Sequence, residues 1–191
     1  MMRKVLFGLT LLVSTTAATA QHAEFGVKAG LNAAKFSNES GSNYKMNPSF
    51  HVGILEHIHI NKRFAIQPEV VFSLQGTKYK SDDMNAKINL GYINVPVLFQ
   101  LMTESGFRFE TGPQIGFLVS AKSKLGNESE DIKSELKSTD FAWAFGVGYI
   151  TASKFGFDLR FNAGISDITK ENESNVKNNV IQAGVFYQFH H

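Results

Sequence analysis

The chain has 191 residues, with 19 Lys and Arg against 17 Asp and Glu, and 17 phenylalanines. That length suits one domain with a sizeable interior, and the near-even charge excludes an electrostatic nucleic-acid partner. The absence of cysteine excludes disulfides, thiolate metal sites, a thiolate nucleophile and a lipid-modified cysteine behind an export signal.

Residues 1–20 read as a cleaved signal peptide, leaving 21–191 as one mature domain. Arg3 and Lys4 supply the positive start, 5–13 a short apolar core, and Ala18-Thr19-Ala20 a small-x-small cleavage site. The apolar core is too short to span a bilayer as a helix.

From there the sequence predicts eight strands with period-two alternation. In 24–34, Phe25, Val27, Ala29 and Leu31 oppose Gly26, Lys28, Gly30 and Asn32. In 49–60, Phe50, Val52, Ile54 and Ile58 oppose His51, Gly53, Leu55, His57 and His59. In 64–75, Phe64, Ile66, Pro68, Val70 and Phe72 oppose Gln67, Glu69, Ser73 and Gln75. In 90–101, Ile93, Val95, Val97 and Phe99 oppose Tyr92, Asn94, Pro96, Leu98 and Gln100. The fifth, 107–120, sets Phe107, Phe109, Ile115 and Phe117 against Arg108, Glu110, Gln114 and Gly116. The sixth, 139–150, sets Phe141, Trp143, Phe145 and Val147 against Asp140, Ala142, Ala144 and Gly146. The seventh, 155–168, sets Phe157, Leu159 and Phe161 against Asp158, Arg160 and Asn162. The eighth, 179–189, alternates Ile181, Ala183, Val185, Tyr187 and Phe189 with Gln182, Gly184 and Gln188, and reads as a closing strand with an aromatic end.

Connections alternate between short (61–63, 102–106, 151–154) and long, polar ones (35–47, 77–89, 121–138, 169–177). Periplasmic termini make the short ones periplasmic turns and the long ones extracellular loops. The charge-rich run 122–137 is expected to be a mobile external loop tip. A soluble barrel also alternates, with its apolar face inward. Three features favour the membrane: bulky aromatics on one face against Gly and Ala on the other, charges of both signs on the small face, and the lopsided loops. Glu56 falls on the lipid-facing phase unless a β-bulge near Leu55 turns it inward. Pro68 should mark a bulge or a local break.

Read in order, these strands resemble the PorT-like outer-membrane β-barrel family of Gram-negative bacteria. The resemblance rests on Gly26-Val27-Lys28-Ala29-Gly30-Leu31-Asn32, on residues Gln67 to Gly76, and on Tyr92-Ile93-Asn94-Val95-Pro96-Val97-Leu98. It continues in Gly112-Pro113-Gln114-Ile115-Gly116, Gly146-Val147-Gly148-Tyr149 and Asp158-Leu159-Arg160-Phe161-Asn162. It implies an all-β, eight-stranded antiparallel up-and-down transmembrane β-barrel in the outer membrane. Lipid is then the surrounding partner, and the barrel-insertion machinery the partner during biogenesis. It implies no chemistry and no oligomeric state. His190 and His191 depart from it, because such barrels usually stop at the final aromatic, here Phe189.

Lys28, Glu69, Arg108, Glu110, Asp140, Asp158 and Arg160 share the small face and are expected to form a structural charge network in the lumen. His51, His57 and His59 share a face at spacing two, but no carboxylate at fixed spacing completes a metal site, so they read as lumen lining. No cofactor, metal or catalytic set is expected. Ser73, Ser120 and His51 would be the only guesses for an enzyme acting on lipid. The leading expectation is a non-enzymatic barrel with a structural, adhesive or interaction role through its loops. The alternatives are a narrow porin-like channel, an accessory of protein secretion, or a soluble ligand-binding barrel.

Overall fold

The computed structural model describes residues 23–37, 44–80, 85–126, 128–170 and 175–189. Among them run nine strands: β1 (Ala23–Ser37), β2 (Tyr44–His59), β3 (Phe64–Lys80), β4 (Asn85–Met102), β5 (Phe107–Leu125), β6 (Glu128–Asp131), β7 (Thr139–Ile150), β8 (Phe155–Gly164) and β9 (Lys177–Gln188). All pairings are antiparallel. Eight strands close a ring, β1-β2-β3-β4-β5-β7-β8-β9, sealed where β1 meets β9 from Gly26↔Gln188 to Ser37↔Lys177. Closure leaves no edge, so the ladder satisfies the backbone groups that lipid cannot. No helix among the described residues is long and apolar enough to cross a membrane, which says nothing of strands.

The alternation becomes two faces. β5 and β8 alternate exposed and buried residues almost without break. Phe109, Phe145 and Phe157 point outward, each about half exposed at 52, 54 and 51%. The bulky hydrocarbon side therefore faces away from the centre, where an eight-stranded barrel has little room. Gly156 supplies one local exception. Any Cβ there would run into the ring of Phe186, an aromatic that turns inward and is buried.

Three tight turns close the end at which β1 begins and β9 ends. Asn61 Oδ1 accepts from the Arg63 and Phe64 amides, both at 2.9 Å. The other two turns repeat one design. Thr103 meets the Ser105 hydroxyl at 3.0 Å and donates to the Phe107 carbonyl, and Thr151 does the same with Ser153 and Phe155. Each needs a left-handed residue, supplied by Gly106 (φ 95°) and Lys154 (φ 64°).

The opposite end differs from the sequence-based expectation. β3, β4 and β5 are 17, 18 and 19 residues long, whereas a tilted strand crosses a bilayer in about 9–11. Most of the expected loop 77–89 is strand, continuing the β3–β4 ladder to Lys80↔Asn85. The expected loop tip 122–137 is largely built structure. β6 pairs with the end of β5 from Lys122↔Asp131 to Leu125↔Glu128, and Gly126 turns the chain with φ 59°.

Two register shifts interrupt the ladders, one on β2 between Met46 and His51 and one opposite Gly91 and Tyr92 of β4. The second leaves Val119 and Ser120 of β5 both exposed between buried Leu118 and Ala121. Pro68 shifts nothing. It pairs with Val97, and the ladder resumes at Val71↔Asn94 with equal counts on both strands. It marks a local gap without a bulge. Leu55 and Glu56 pair with Gly26 and Phe25 in unbroken register, so no bulge turns Glu56 inward.

A cation at mid-belt should cost far more than a lost ring. Phe145→Arg is expected to lower stability by about 2–4 kcal/mol, with Phe145→Leu nearly neutral, as measured by urea unfolding in lipid vesicles.

Candidate functional site

The interior is stratified, and each layer follows from which residues the inward phase delivers. At its centre lies Arg160 of β8, 2% exposed. Its Nη1 and Nη2 donate to the two carboxylate oxygens of Glu69 on β3, at 2.9 and 3.0 Å. Its Nε donates to Glu110 of β5 at 2.8 Å. A planar guanidinium can make this bidentate contact and a third bond at once, which an ammonium cannot. Lys28 of β1 completes the knot, 3.3 Å from Glu69 and 3.4 Å from Asp158 of β8. Gln67 donates to Glu69 at 2.8 Å and Gln100 to Glu110 at 2.9 Å. The charged residues of the knot come from four non-consecutive strands, β1, β3, β5 and β8, which are thus tied across the lumen.

Of the seven residues expected to form a charge network, five meet here: Lys28, Glu69, Glu110, Asp158 and Arg160. Arg108 does not join them. It lies one step nearer the tight turns, donating to Gln188 at 3.1 Å with its guanidinium 5.1 Å from the centre of the Phe186 ring. Asp140 is also apart, near the external end, accepting from Ser166 at 2.9 Å. Counting Arg108, three cations offset three carboxylates around the knot. Gln67 and Gln100 share the inward phase, yet alternation alone could not show that they reach the two glutamates.

Outward from the knot comes a layer of amides. Asn32 donates to Ser73 at 3.0 Å, accepts from Gln182 at 3.0 Å, and meets His51 Nδ1 at 2.7 Å. Asn162 donates to Gln182, and Asn178 to Gln75. Ser73 and His51 are therefore tied into this layer, fully buried, while Ser120 sits on the outer face at the β5 bulge. His57 meets Gln67 at 3.3 Å and packs edge-on against His59. Among the described residues, no three His, Asp or Glu side chains are placed to hold a metal ion.

The outermost layer is apolar and was not foreseen. Phe36, Leu90, Tyr92, Leu118, Ala121, Leu136, Ile168 and Val176 are buried together, with Ile88 and Ile132 against them. Two connections fold inward to complete it. Leu136 bridges Thr169, and the Lys137 amide donates to the Ile168 carbonyl at 2.9 Å. Asp167 anchors the second connection. Its Oδ1 accepts from the Thr169 amide and hydroxyl and the Val176 amide, at 3.1, 2.8 and 2.9 Å. Lys137 lies 3.5 Å from its other oxygen. Partial burial would raise the Asp167 carboxyl, but these donors outweigh it and hold the group below the usual carboxylate range. At the other end, beside the tight turns, a vestibule of about 510 Å³ is lined by Glu24, His59, Lys62, Arg108, Lys154 and Gln188 among others.

A closed ring with hydrocarbon outside and a charged, filled interior is the architecture of a membrane barrel. The profile of the outer membrane protein beta-barrel domain family matches residues 19–170. The chain belongs to that family. Its fold is similar to the crystal structure of Neisserial surface protein A, at 21% identity and a TM-score of 0.61, covering 87% of this chain and 99% of that one. It is also similar to Ail, the attachment invasion locus protein of Yersinia pestis, at 14% identity and a TM-score of 0.51, covering 88% and 99%. At such identities the likeness concerns the fold alone. Among curated proteins, none matches the sequence.

Breaking the knot from one side should strand two carboxylates. Arg160→Met is expected to cost about 3–5 kcal/mol, and adding Glu69→Gln and Glu110→Gln should recover much of it, as read by urea unfolding in vesicles. The Asp167 anchor gives a pH signature. Its folded carboxyl lies below its unfolded value, so its contribution is complete above the unfolded value and fades as pH falls through the folded one. The Val176 amide resonance should hold steady through the range where an ordinary aspartate titrates and move only at lower pH.

Proposed function

We propose that this family member is a non-enzymatic outer-membrane barrel that acts through its external face rather than through its lumen. One observation carries the reading: the interior is occupied from the ion-pair knot through the amide layer to the apolar plug. Ions crossing it would have to break Arg160 from both glutamates and part the side chains around Ile168 and Leu136. What remains available to the surroundings is the outer end, where the β3–β4 extension and the β5–β6 hairpin stand clear of the bilayer. A structural, adhesive or interaction role fits that geometry. The seven inward charges are read as structural, the three cations balancing three of the four carboxylates around the knot. We place the chain among the PorT-like members on the motifs quoted above. Export by removal of residues 1–20, with assistance from the barrel-insertion machinery, belongs to the same reading.

The purified protein should migrate faster unboiled than boiled, fractionate with outer membranes and stay silent in planar bilayers across salts and voltages. Steady single-channel conductance from the unaltered barrel would replace this reading with the channel one. For the external role, shortening the β5–β6 hairpin should reduce surface attachment of expressing cells while leaving the gel shift unchanged.

A further inference from the structure

Beyond the apolar belt, four adjacent strands present lysines in one cross-strand row. Lys45 of β2 stands opposite Lys78 of β3, Lys78 opposite Lys87 of β4, and Lys87 opposite Lys124 of β5. Directly opposed residues project to the same face, with Cβ atoms about 4.5–5.5 Å apart. That face is the outer one. Thr77 and Ile88, the neighbours of Lys78 and Lys87, pair with each other and point inward, Thr77 fully buried and Ile88 against the apolar plug. Lys45 and Lys124 are exposed, while Lys78 and Lys87 are half-buried.

Like charges directly opposed destabilise a sheet, and here the repulsion is repeated three times. Among the described residues no carboxylate forms an ion pair with any of the four. Asp82 and Asp83, between β3 and β4 in the sequence, lie outside the described residues. Lys122 is not part of the row, because it stands opposite Asp131 of β6. The row follows the lipid-facing residues Val52, Phe72, Ile93 and Phe117 on the same four strands and the same face. A surface continuous with the hydrocarbon belt and strongly cationic just above it meets the headgroup region of the outer leaflet.

We propose that this lysine row is a binding site for phosphorylated lipid headgroups of the outer leaflet, whose acyl chains lie along the belt below. The row supplies spaced point charges with three donors each, suited to phosphate groups rather than to a single planar carboxylate. The lipid offsets the repulsion that the sheet alone leaves in place. The site rests on the outer-membrane placement but not on the adhesive reading.

The test titrates the detergent-purified full barrel with phosphorylated lipid A and counts bound lipid by native mass spectrometry. K45Q/K78Q/K87Q/K124Q should weaken binding about tenfold or more. Removing the phosphates from the lipid should bring the unaltered protein to the level of the variant, and salt should weaken the unaltered protein more steeply. Equal affinity of protein and variant for the phosphorylated lipid overturns the proposal. So does tighter binding of a heparin oligosaccharide than of the lipid, which would assign the row to a soluble polyanion. The unboiled gel shift reports separately whether each variant is a folded barrel. Should the fourfold variant fail to fold, K78Q/K87Q carries the test, with a loss of about threefold or more expected.

Discussion

The width of an eight-stranded ring governs this molecule. Its narrow inside is filled largely by side chains, so inward polar groups depend on one another for partners, most of them across strands. Arg160 is the centre of that constraint. It collects Glu69 from β3 and Glu110 from β5, while Lys28 from β1 shares Glu69 with it. Charges out of water are costly alone and tolerable when paired and hydrogen-bonded. The knot is therefore better viewed as a device that fixes which strands face one another than as a source of net stability. Slipping any contributing strand by one residue would send its charge into lipid.

The same solvent logic inverts along a single strand. Within the belt, β5 points Phe109, Ile115 and Phe117 outward and Arg108, Glu110 and Gln114 inward; above it, Leu118 and Ala121 point inward and Lys122 and Lys124 outward. β4 repeats the change from Asn94 and Gln100 inward to Tyr92 and Leu90 inward. Hydrocarbon surrounds the lower part and water the upper part, so the side that must hide its apolar groups changes over. The shift at Val119 and Ser120 sits at the changeover. It lets a strand built for lipid continue as one built for water, and the inward-folding connections around Leu136 and Ile168 finish the small core so created.

This inversion explains what could and could not be read from the residues. Period-two alternation from Phe25 to Phe189 was enough for the eight barrel strands and their faces, though not for β6. The strand ends were not legible. Residues such as Lys78, Lys87 and Lys124 look like loop chemistry unless the sheet is already known to outlast the bilayer. Leu90 and Leu118 look misplaced on a polar phase for the same reason. Within the charge network, the shared face was legible but the partners were not, because alternation carries no information on height between strands far apart around the ring. Height is what separates Arg108 and Asp140 from the five residues that meet.

Glu56 shows the limit of treating the belt as uniform. It keeps the lipid-facing phase of β2 in unbroken register with Phe25 of β1, three residues before the strand ends at His59. A charged group on the outer face costs most at the bilayer midplane and falls to about 0–1 kcal/mol near the interfaces, with carboxylates at the lower end. The turn at Asn61 lies only a few residues beyond Glu56, whose side chain is half-buried. A bulge would move the whole preceding stretch of β2 out of phase, carrying His51 and Leu55 from the lumen into lipid. Keeping one carboxylate at the edge is the smaller cost, so the regular ladder wins.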